Sequence, residues 1–252
     1  MSRLSSLPTA LQAALAERRA LKVIAGLNNF DASSVARVAR AAAAGGADLI
    51  DIACDAALVR LVRQVAPGLP VCVSAVEPEL FVAAVAAGAA MVEIGNFDSF
   101  YPQGIVFGAE QVLELTRRTR ALLPQVVLSV TVPHVLPLDQ QEQLAADLVA
   151  AGADLIQTEG GTSARPFSAG NLGLIEKAAP TLAAAHGISR AVGLPVLCAS
   201  GLSAVTLPLA IAAGASGVGV GSAVNRLSDE LAMVAAVRSL REALGNTVTA
   251  VV

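Results

Sequence analysis

The sequence predicts a single α/β domain over residues 1–252: a (β/α)8 TIM barrel with an N-terminal helix covering the barrel floor. The length of 252 residues matches the roughly 250 residues typical of this fold. Short apolar runs alternate with helix-like segments along the whole chain, as expected for a parallel sheet covered on both faces. A doubly wound open sheet is the alternative, but eight evenly distributed units favour a closed barrel.

Eight short apolar runs are the predicted strands, at 21–28, 47–54, 70–76, 90–96, 126–132, 153–159, 195–200 and 216–222. A helix near residues 7–18 precedes them and is expected to cover the floor. The helices between strands begin at caps such as Asp31 and end at a glycine in a repeated Ala-Ala-Gly-Ala phrase. A glycine that ends the helix and is followed at once by a buried strand is what a short connection between the two requires, and its repetition indicates a repeated β/α unit.

Composition limits the function classes. The chain is 55% hydrophobic but 3% aromatic, and its 17 basic residues are scattered at a net charge of −3, which disfavours nucleic acid as a partner. The mean hydropathy is +0.66, yet glycines and charges interrupt every apolar run, so no membrane span is predicted. Ala-rich helix faces with few charges leave room for a homo-oligomer.

Cellular compartment is indicated by the cysteines and the N-terminus. Cys54, Cys72 and Cys198 lie in apolar segments without a Cys-x-x-Cys pair, which indicates reduced, buried thiols. The first residues lack the features of a signal peptide. We therefore expect a cytoplasmic protein.

Two glycine-rich stretches predict a phosphate site. PVLCASGLS (195–203) and GVGVGSAVN (217–225) follow or contain strands 7 and 8, whose loops often hold a phosphate in such barrels. Glycine is needed there because a side chain would keep the anion away from backbone N–H groups. The predicted phosphate-binding residues are Gly201, Leu202, Ser203, Gly221 and Ser222. The alternative is that these small residues only permit close helix packing.

Three charged residues interrupt apolar strands, where an unpaired charge is costly: Lys22, Asp51 and Glu93. If they face inward, they form a charge cluster inside the barrel. A partly desolvated Lys22 with a lowered pKa could then act as a Schiff-base nucleophile or proton shuttle, with a carboxylate as partner. The alternative is an internal salt bridge near the floor, since Lys22 lies early in its strand.

Other candidates lie at strand ends and in two long loops, 96–110 and 160–173, on the face where barrel active sites form. Glu159 is the best candidate for a general acid or base, and His134 could also carry a proton. Arg165 could close onto an anion. The predicted substrate-binding residues are Asn28, Asn96, Gln157, Gly160, Gly161 and Arg165. Each of these could instead be a hydrogen-bonded loop anchor.

No metal site is predicted from a motif. The chain has two histidines and no His-Glu-x-x-His, and its cysteines are not clustered. The sequence leaves open the weak binding of Mg²⁺ by carboxylates at the strand ends.

The two glycine-rich stretches resemble the phosphate sites of ribulose-phosphate-binding and flavin-linked barrels. This resemblance implies a phosphorylated ligand, with flavin mononucleotide (FMN) as a possible cofactor. A closer resemblance covers nearly the whole chain. At LKVIAGLNNFD, ADLIDIACD, VEIGNFDSFY and IQTEGGTS the chain is similar to an uncharacterised barrel family, hypothetical chloroplast open reading frame twenty-three of red-algal plastids and cyanobacteria. That resemblance implies the fold and leaves the chemistry open.

The leading hypothesis is a lyase, isomerase or synthase acting on a phosphorylated small metabolite, with Lys22 or Glu159 transferring a proton. One alternative is an FMN-binding, oxidoreductase-like barrel. The other is a non-catalytic regulatory protein that binds a phosphometabolite.

Overall fold

A computed structural model describes residues 2–245 and shows a closed barrel of eight parallel strands in sequence order. The predicted fold is confirmed, while residue 1 and residues 246–252 of the predicted domain lie outside the described residues. The strands are β1 (Ala20–Gly26), β2 (Leu49–Ala53), β3 (Val71–Ala75), β4 (Met91–Ile94), β5 (Val127–Thr131), β6 (Leu155–Gln157), β7 (Val196–Ala199) and β8 (Gly217–Val220).

Helices surround the barrel and cover its floor. They are α1 (Thr9–Ala16), α2 (Ala32–Gly45), α3 (Ala56–Val65), α4 (Leu80–Ala86), α5 (Ala109–Leu122), α6 (Leu138–Ala150), α7 (Gly170–Ala191), α8 (Leu207–Ala212), α9 (Ser222–Asn225) and α10 (Glu230–Gly245). Short 3-10 turns occupy Arg3–Ser6, Phe97–Ser99 and Tyr101–Gln103. No helix within residues 2–245 is long and apolar enough to cross a membrane.

Local sequence signals explain where the helices begin and end. The carboxylate of Asp31 accepts hydrogen bonds from the N–H groups of Ser33 and Ser34 at the start of α2. Its C-terminal cap is Gly46, in the left-handed region with φ of 86°. Glycines in the other copies of the repeated phrase, Gly88, Gly152 and Gly214, also have positive φ. The repeat therefore marks the turn into the next strand.

The floor of the barrel is an apolar layer beneath α1. Leu11, Ala14 and Leu15 of this helix pack with the first inward-facing side chains of the strands, including Leu49 and Met91. These residues form a cluster separate from the larger core between strands and helices. The predicted N-terminal floor helix is therefore present.

The three cysteines lie in these buried layers. All are free, and burial raises the pKa of Cys198 to about 11 and that of Cys54 to about 12. Burial also raises the pKa of Cys72. Thiols with raised pKa values are poor nucleophiles, as expected of core residues.

Candidate active site

A layer of polar side chains lies inside the barrel, directly above the apolar floor. Lys22 Nζ donates to Glu93 Oε2 at 2.6 Å and to Gln157 Oε1 at 2.8 Å, and lies 3.4 Å from Asp51 Oδ2. Ser129 donates to Glu93 Oε2 at 2.8 Å. These side chains are at most 1% exposed. The predicted cluster of Lys22, Asp51 and Glu93 is therefore real, and Gln157 belongs to it.

The environment of Lys22 corrects its predicted nucleophilic role. Burial alone would lower the pKa of its amine, but the charges of Asp51 and Glu93 outweigh this and raise the pKa above its ordinary value. An imine forms from a neutral amine, whereas Lys22 is held as a cation. The side chain also does not line a cleft open to solvent. Lys22 is thus a partner in a buried ion pair, which is the internal salt bridge that the sequence analysis gave as the alternative.

Glu93 is the buried carboxylate most perturbed by this layer. Burial raises its pKa, and Lys22 opposes that rise. Gln157 Nε2 donates to Glu93 Oε1 at 2.7 Å, so both carboxylate oxygens have donors. Gln157 is 1% exposed. Its predicted contact with substrate is corrected to a contact within the interior layer.

Asn96 connects this layer to the mouth of the barrel. Its side-chain amide donates to Asp51 Oδ2 at 3.2 Å and to Ser74 Oγ and Glu93 Oε1 at 3.3 Å. Its backbone is left-handed, with φ of 62°, which is uncommon outside glycine. Asn96 also lines the cleft described below, as a substrate-binding residue would.

At the mouth, Glu159 follows β6 and receives donors from two loops, those after β4 and β5. Its Oε1 accepts from Tyr101 hydroxyl at 2.5 Å and from His134 N–H at 3.2 Å, and lies 3.1 Å from His134 Nδ1. Its Oε2 accepts from Asp98 N–H at 3.2 Å. Glu159 is 3% exposed but lines the cleft. The predicted proton-transfer residue is therefore fixed in position at the cleft wall.

His134 lies behind Glu159. Burial alone would lower the pKa of the imidazole, but the hydrogen bond and charge of Glu159 and the charge of Asp98 raise it above its ordinary value. Tyr101 packs edge-on against the ring at 5.1 Å, and its own pKa is raised by burial and by Glu159. His134 does not line the cleft. The predicted role of His134 as an acid or base stays a prediction, and its contacts in the structure are with Glu159.

Asp98 joins the β4 loop to the β6 and β7 loops. Ser163 hydroxyl donates to its Oδ1 and Ser200 hydroxyl to its Oδ2, both at 2.8 Å. Gly160 N–H donates to Oδ2 at 3.3 Å. Asp98 therefore holds the two long predicted loops against each other.

Asp98, His134 and Glu159 are also the described residues that could hold a metal ion. They offer ligand atoms within 4.8 Å of one another. However, every carboxylate oxygen of the set already accepts a hydrogen bond from the protein. A metal ion would have to displace these donors.

A cleft of about 240 Å³ opens at the carboxyl ends of the strands. Glu159 and Asn96 line it. Gly201, Gly221 and Ser222, from the loops predicted to bind phosphate, line it as well. A Cβ added to Gly221 would have its nearest neighbour, Ile24 O, at 3.5 Å, so a methyl group would fit there in ordinary van der Waals contact.

Two of the predicted phosphate-binding residues lie outside this cleft. Leu202 is 4% exposed and packs in the core. The N–H of Ser203 donates to Thr206 Oγ1 at 2.9 Å, within its own loop. Their predicted phosphate binding stays a prediction, and neither residue is among those that line the cleft.

Gly160 and Gly161 are needed for loop packing. A Cβ on Gly161 would lie 2.3 Å from Ser200 O, and one on Gly160, whose φ is +119°, would lie 3.1 Å from His134 Cβ. Neither lines the cleft. The structure shows close packing of the β6 loop on the β5 and β7 loops at these glycines, and their predicted substrate contact stays a prediction.

The last two predicted substrate-binding residues are peripheral. Asn28 is peripheral to the cleft only, since it lines a second groove beside it, and Arg165 is exposed and does not line the cleft. The cleft instead contains Arg226, an exposed side chain just after α9 that the sequence analysis missed. Tyr101 was missed as well, although it is the single tyrosine of the chain and lies in a long loop on the active face.

Solved structures with the same architecture include two whose names contain a phosphate compound. The chain matches a 3-hexulose-6-phosphate synthase with a TM-score of 0.61 and 19% identity, covering 89% of this chain and 99% of that one. It matches the thiamine phosphate pyrophosphorylase of Pyrococcus furiosus with a TM-score of 0.60 and 18% identity, covering 93% and 99%. At these identities the likeness establishes the fold alone.

Sequence relatives cover most of the chain. The protein ycf23 of Cyanophora paradoxa is 46% identical over 220 residues, covering 87% of this chain and 90% of the relative. The protein ycf23 of Pyropia yezoensis is 36% identical over 228 residues, covering 90% and 83%. A family model described as "Protein of unknown function (DUF561)" matches residues 6–250. The chain therefore belongs to the DUF561 family and is related to these ycf23 proteins.

Proposed function

We propose that this protein is an enzyme, a lyase, isomerase or synthase, that transfers a proton on a small phosphorylated metabolite. The β7 and β8 loops bind the phosphate, and Glu159 acts on the opposite end of the substrate. The observation that carries the proposal is one cleft lined both by Glu159 and by Gly201, Gly221, Ser222 and Arg226.

The phosphate side of the cleft combines bare backbone with one cation. Gly201 and Gly221 present backbone without a side chain, so an anion can approach the N–H groups of their loops. The guanidinium of Arg226 can add paired hydrogen bonds and charge. The names of the structural neighbours, which include phosphate compounds, agree with this ligand class.

Cleft size favours a small ligand. The volume of about 240 Å³ is below the roughly 300 Å³ at which sites for drug-sized ligands begin. A small phosphate ester therefore fits better than flavin mononucleotide. Phosphate binding remote from the reacting atoms would orient the substrate for reaction.

Glu159 is the catalytic residue in this proposal. As a carboxylate at the cleft wall it can accept a proton from a bound substrate. His134 and Tyr101 act through it: both donate to Glu159 Oε1, which fixes the direction of the carboxylate and balances its charge. The buried Lys22 layer lies beneath and supports Asn96.

The test is thermal unfolding with a panel of inorganic phosphate, sugar phosphates, nucleotides and flavin mononucleotide. A ligand at about a hundred times its dissociation constant adds roughly 2.7 kcal/mol to the free energy of unfolding. We expect a sugar phosphate to do so for the parent protein and for Gly193→Asp, a control at the opposite end of the barrel with open space around it. Gly221→Asp should fold but lose the effect, because its carboxylate repels the phosphate.

Turnover then separates an enzyme from a regulatory binding protein. A stabilising compound that the parent protein converts, and that Glu159→Gln binds without converting, supports the enzyme. Saturable binding with no turnover would instead favour the regulatory protein. Stabilisation by flavin mononucleotide alone would favour the oxidoreductase-like barrel, and an unchanged midpoint throughout the panel would contradict phosphate binding.

A further inference from the structure

A second concavity of about 170 Å³ lies beside the cleft at the same mouth of the barrel. Its walls come from the loops after β1, β2, β3 and β4 and from the start of α4. We call it the apolar groove, defined by six of its lining residues: Leu27, Phe30, Cys54, Val76, Leu80 and Phe100. It lies on the side of the barrel opposite the β6 and β7 loops.

The apolar groove and the cleft share walls. Leu27 lines both. Phe100 of the groove follows Ser99 of the cleft in the β4 loop. Ser74, at the bottom of the groove, accepts a hydrogen bond at 3.3 Å from Asn96, which lines the cleft. One ligand can therefore extend from the cleft into the groove.

The chemistry of the groove differs from that of the cleft. Phe30 is 62% exposed and Leu80 46% exposed at its rim, so large apolar surface faces solvent beside a polar site. Covering that surface with an apolar group is favourable in proportion to the area removed from water. The carboxylate of Glu77 also lines the groove and repels an anion there. The groove is thus suited to the end of a ligand that carries no phosphate.

We propose that the substrate carries an apolar group, which the apolar groove binds while the β7 and β8 loops hold the phosphate. The proposal rests on the proposed function, because it takes the phosphate position from it. It narrows the substrate class from phosphorylated metabolites in general to phosphate esters with a hydrocarbon portion.

A homologous series of alkyl phosphates tests this. Dissociation constants are measured by calorimetry for methyl, propyl and hexyl phosphate, with hexanol as the compound lacking phosphate. We expect affinity to rise about fourfold for each methylene group that enters the groove. Hexanol should bind much more weakly than hexyl phosphate, because it lacks the anchoring phosphate.

Two serine substitutions on α4 form a matched pair. Leu80→Ser should reduce the ratio of hexyl to methyl phosphate affinity several-fold, because Leu80 lines the groove. Val82→Ser should leave that ratio unchanged, because Val82 has nearly the same exposure, 47%, but does not line the groove. Both residues are exposed, so both variants should fold.

The outcomes separate the two proposals. Equal affinities for methyl and hexyl phosphate would overturn the apolar subsite and leave phosphate binding intact. Absence of binding by any alkyl phosphate would overturn the apolar subsite, and it would overturn the proposed function as well if no compound of the phosphate panel shifts the unfolding midpoint. If Leu80→Ser changes the sedimentation behaviour of the protein but not the affinity ratio, the groove binds a second copy of the chain, which also overturns the subsite.

Discussion

Replacing Lys22 by methionine should destabilise the barrel without opening a large cavity. Methionine has a long, flexible side chain that can fill most of the space of the lysine stem. The variant leaves Asp51 and Glu93 buried without their cation, although they are at most 1% exposed. Removing one partner of a buried ion pair costs about 3–5 kcal/mol. We expect a loss of this size in the free energy of unfolding at pH 7, measured by urea denaturation.

The pH dependence identifies the cause. Burial already raises the pKa of Glu93 in the parent protein, and loss of Lys22 removes the charge that opposes the rise. The pKa of a glutamate carboxyl in the unfolded chain is about 4.3. When the folded pKa is higher, the carboxyl adds stability that is fully present below about pH 4.3, and this added stability is lost as pH rises through the folded pKa. The deficit of Lys22→Met should therefore be larger at pH 8 than at pH 5.

Two controls complete the experiment. Lys177→Met changes a lysine for which no ion pair is found within residues 2–245 and should stay within about 0.5 kcal/mol of the parent. Adding Glu93→Gln to Lys22→Met removes an unpaired carboxylate and should recover part of the loss, also where the single variant is too unstable to measure. A loss below about 1 kcal/mol, constant with pH, would mean that water reaches this layer and would refute the reasoning.

Three further predictions concern the loops and the floor. His134→Gln should lower the free energy of unfolding most at low pH, where the charged imidazole of the parent faces two carboxylates. The loss should shrink as pH rises through the raised pKa of the imidazole, because the parent then loses that charged form. Unfolding measured across pH detects this trend, and a loss that is constant with pH contradicts it. Gly161→Ala should lower the free energy of unfolding by about 1–3 kcal/mol through overpacking. Gly221→Ala, whose added Cβ has no neighbour nearer than 3.5 Å, should unfold at the parent midpoint. Equal midpoints for the two variants would refute the distinction. Leu11→Ala should cost about 2–5 kcal/mol by denaturation, while Leu231→Ala, 75% exposed, should be near neutral; a neutral Leu11→Ala would mean that α1 is not needed on the floor.

Apolar periodicity was sufficient to predict the barrel and its eight strands. The predicted strand 153–159 is longer than β6, Leu155–Gln157, because the chain leaves the ladder once the loops diverge at the mouth. Composition marks a buried run but not its last paired residue. The floor helix was predictable because its apolar residues precede the first strand.

The site was predicted less completely than the fold. Alternation along a strand indicates whether a side chain points into the barrel, but not how far below the mouth of the barrel it lies. The prediction that Lys22 points into the barrel was correct. Its distance from the cleft could not be predicted, because that distance depends on how the barrel closes. Leu202 and Ser203 share a stretch with Gly201, and loop curvature alone decides which of them reaches the cleft. Arg226 carries no local pattern, because an exposed arginine after a short helix looks the same in sequence whether or not it faces a ligand.

The charged layer also acts on strand alignment. In β1, Leu21 and Val23 face the surrounding helices while Lys22 faces the barrel axis, where Glu93 lies 2.6 Å away. Side chains alternate along a strand, so a shift of β1 by one residue would turn the ammonium group of Lys22 into the apolar layer under α2 and leave both carboxylates unpaired. Most neighbouring side chains are aliphatic, and exchanging one aliphatic group for another costs less than leaving a buried charge unpaired. One lysine thus distinguishes the native pairing of the first strand from its nearest misaligned competitor.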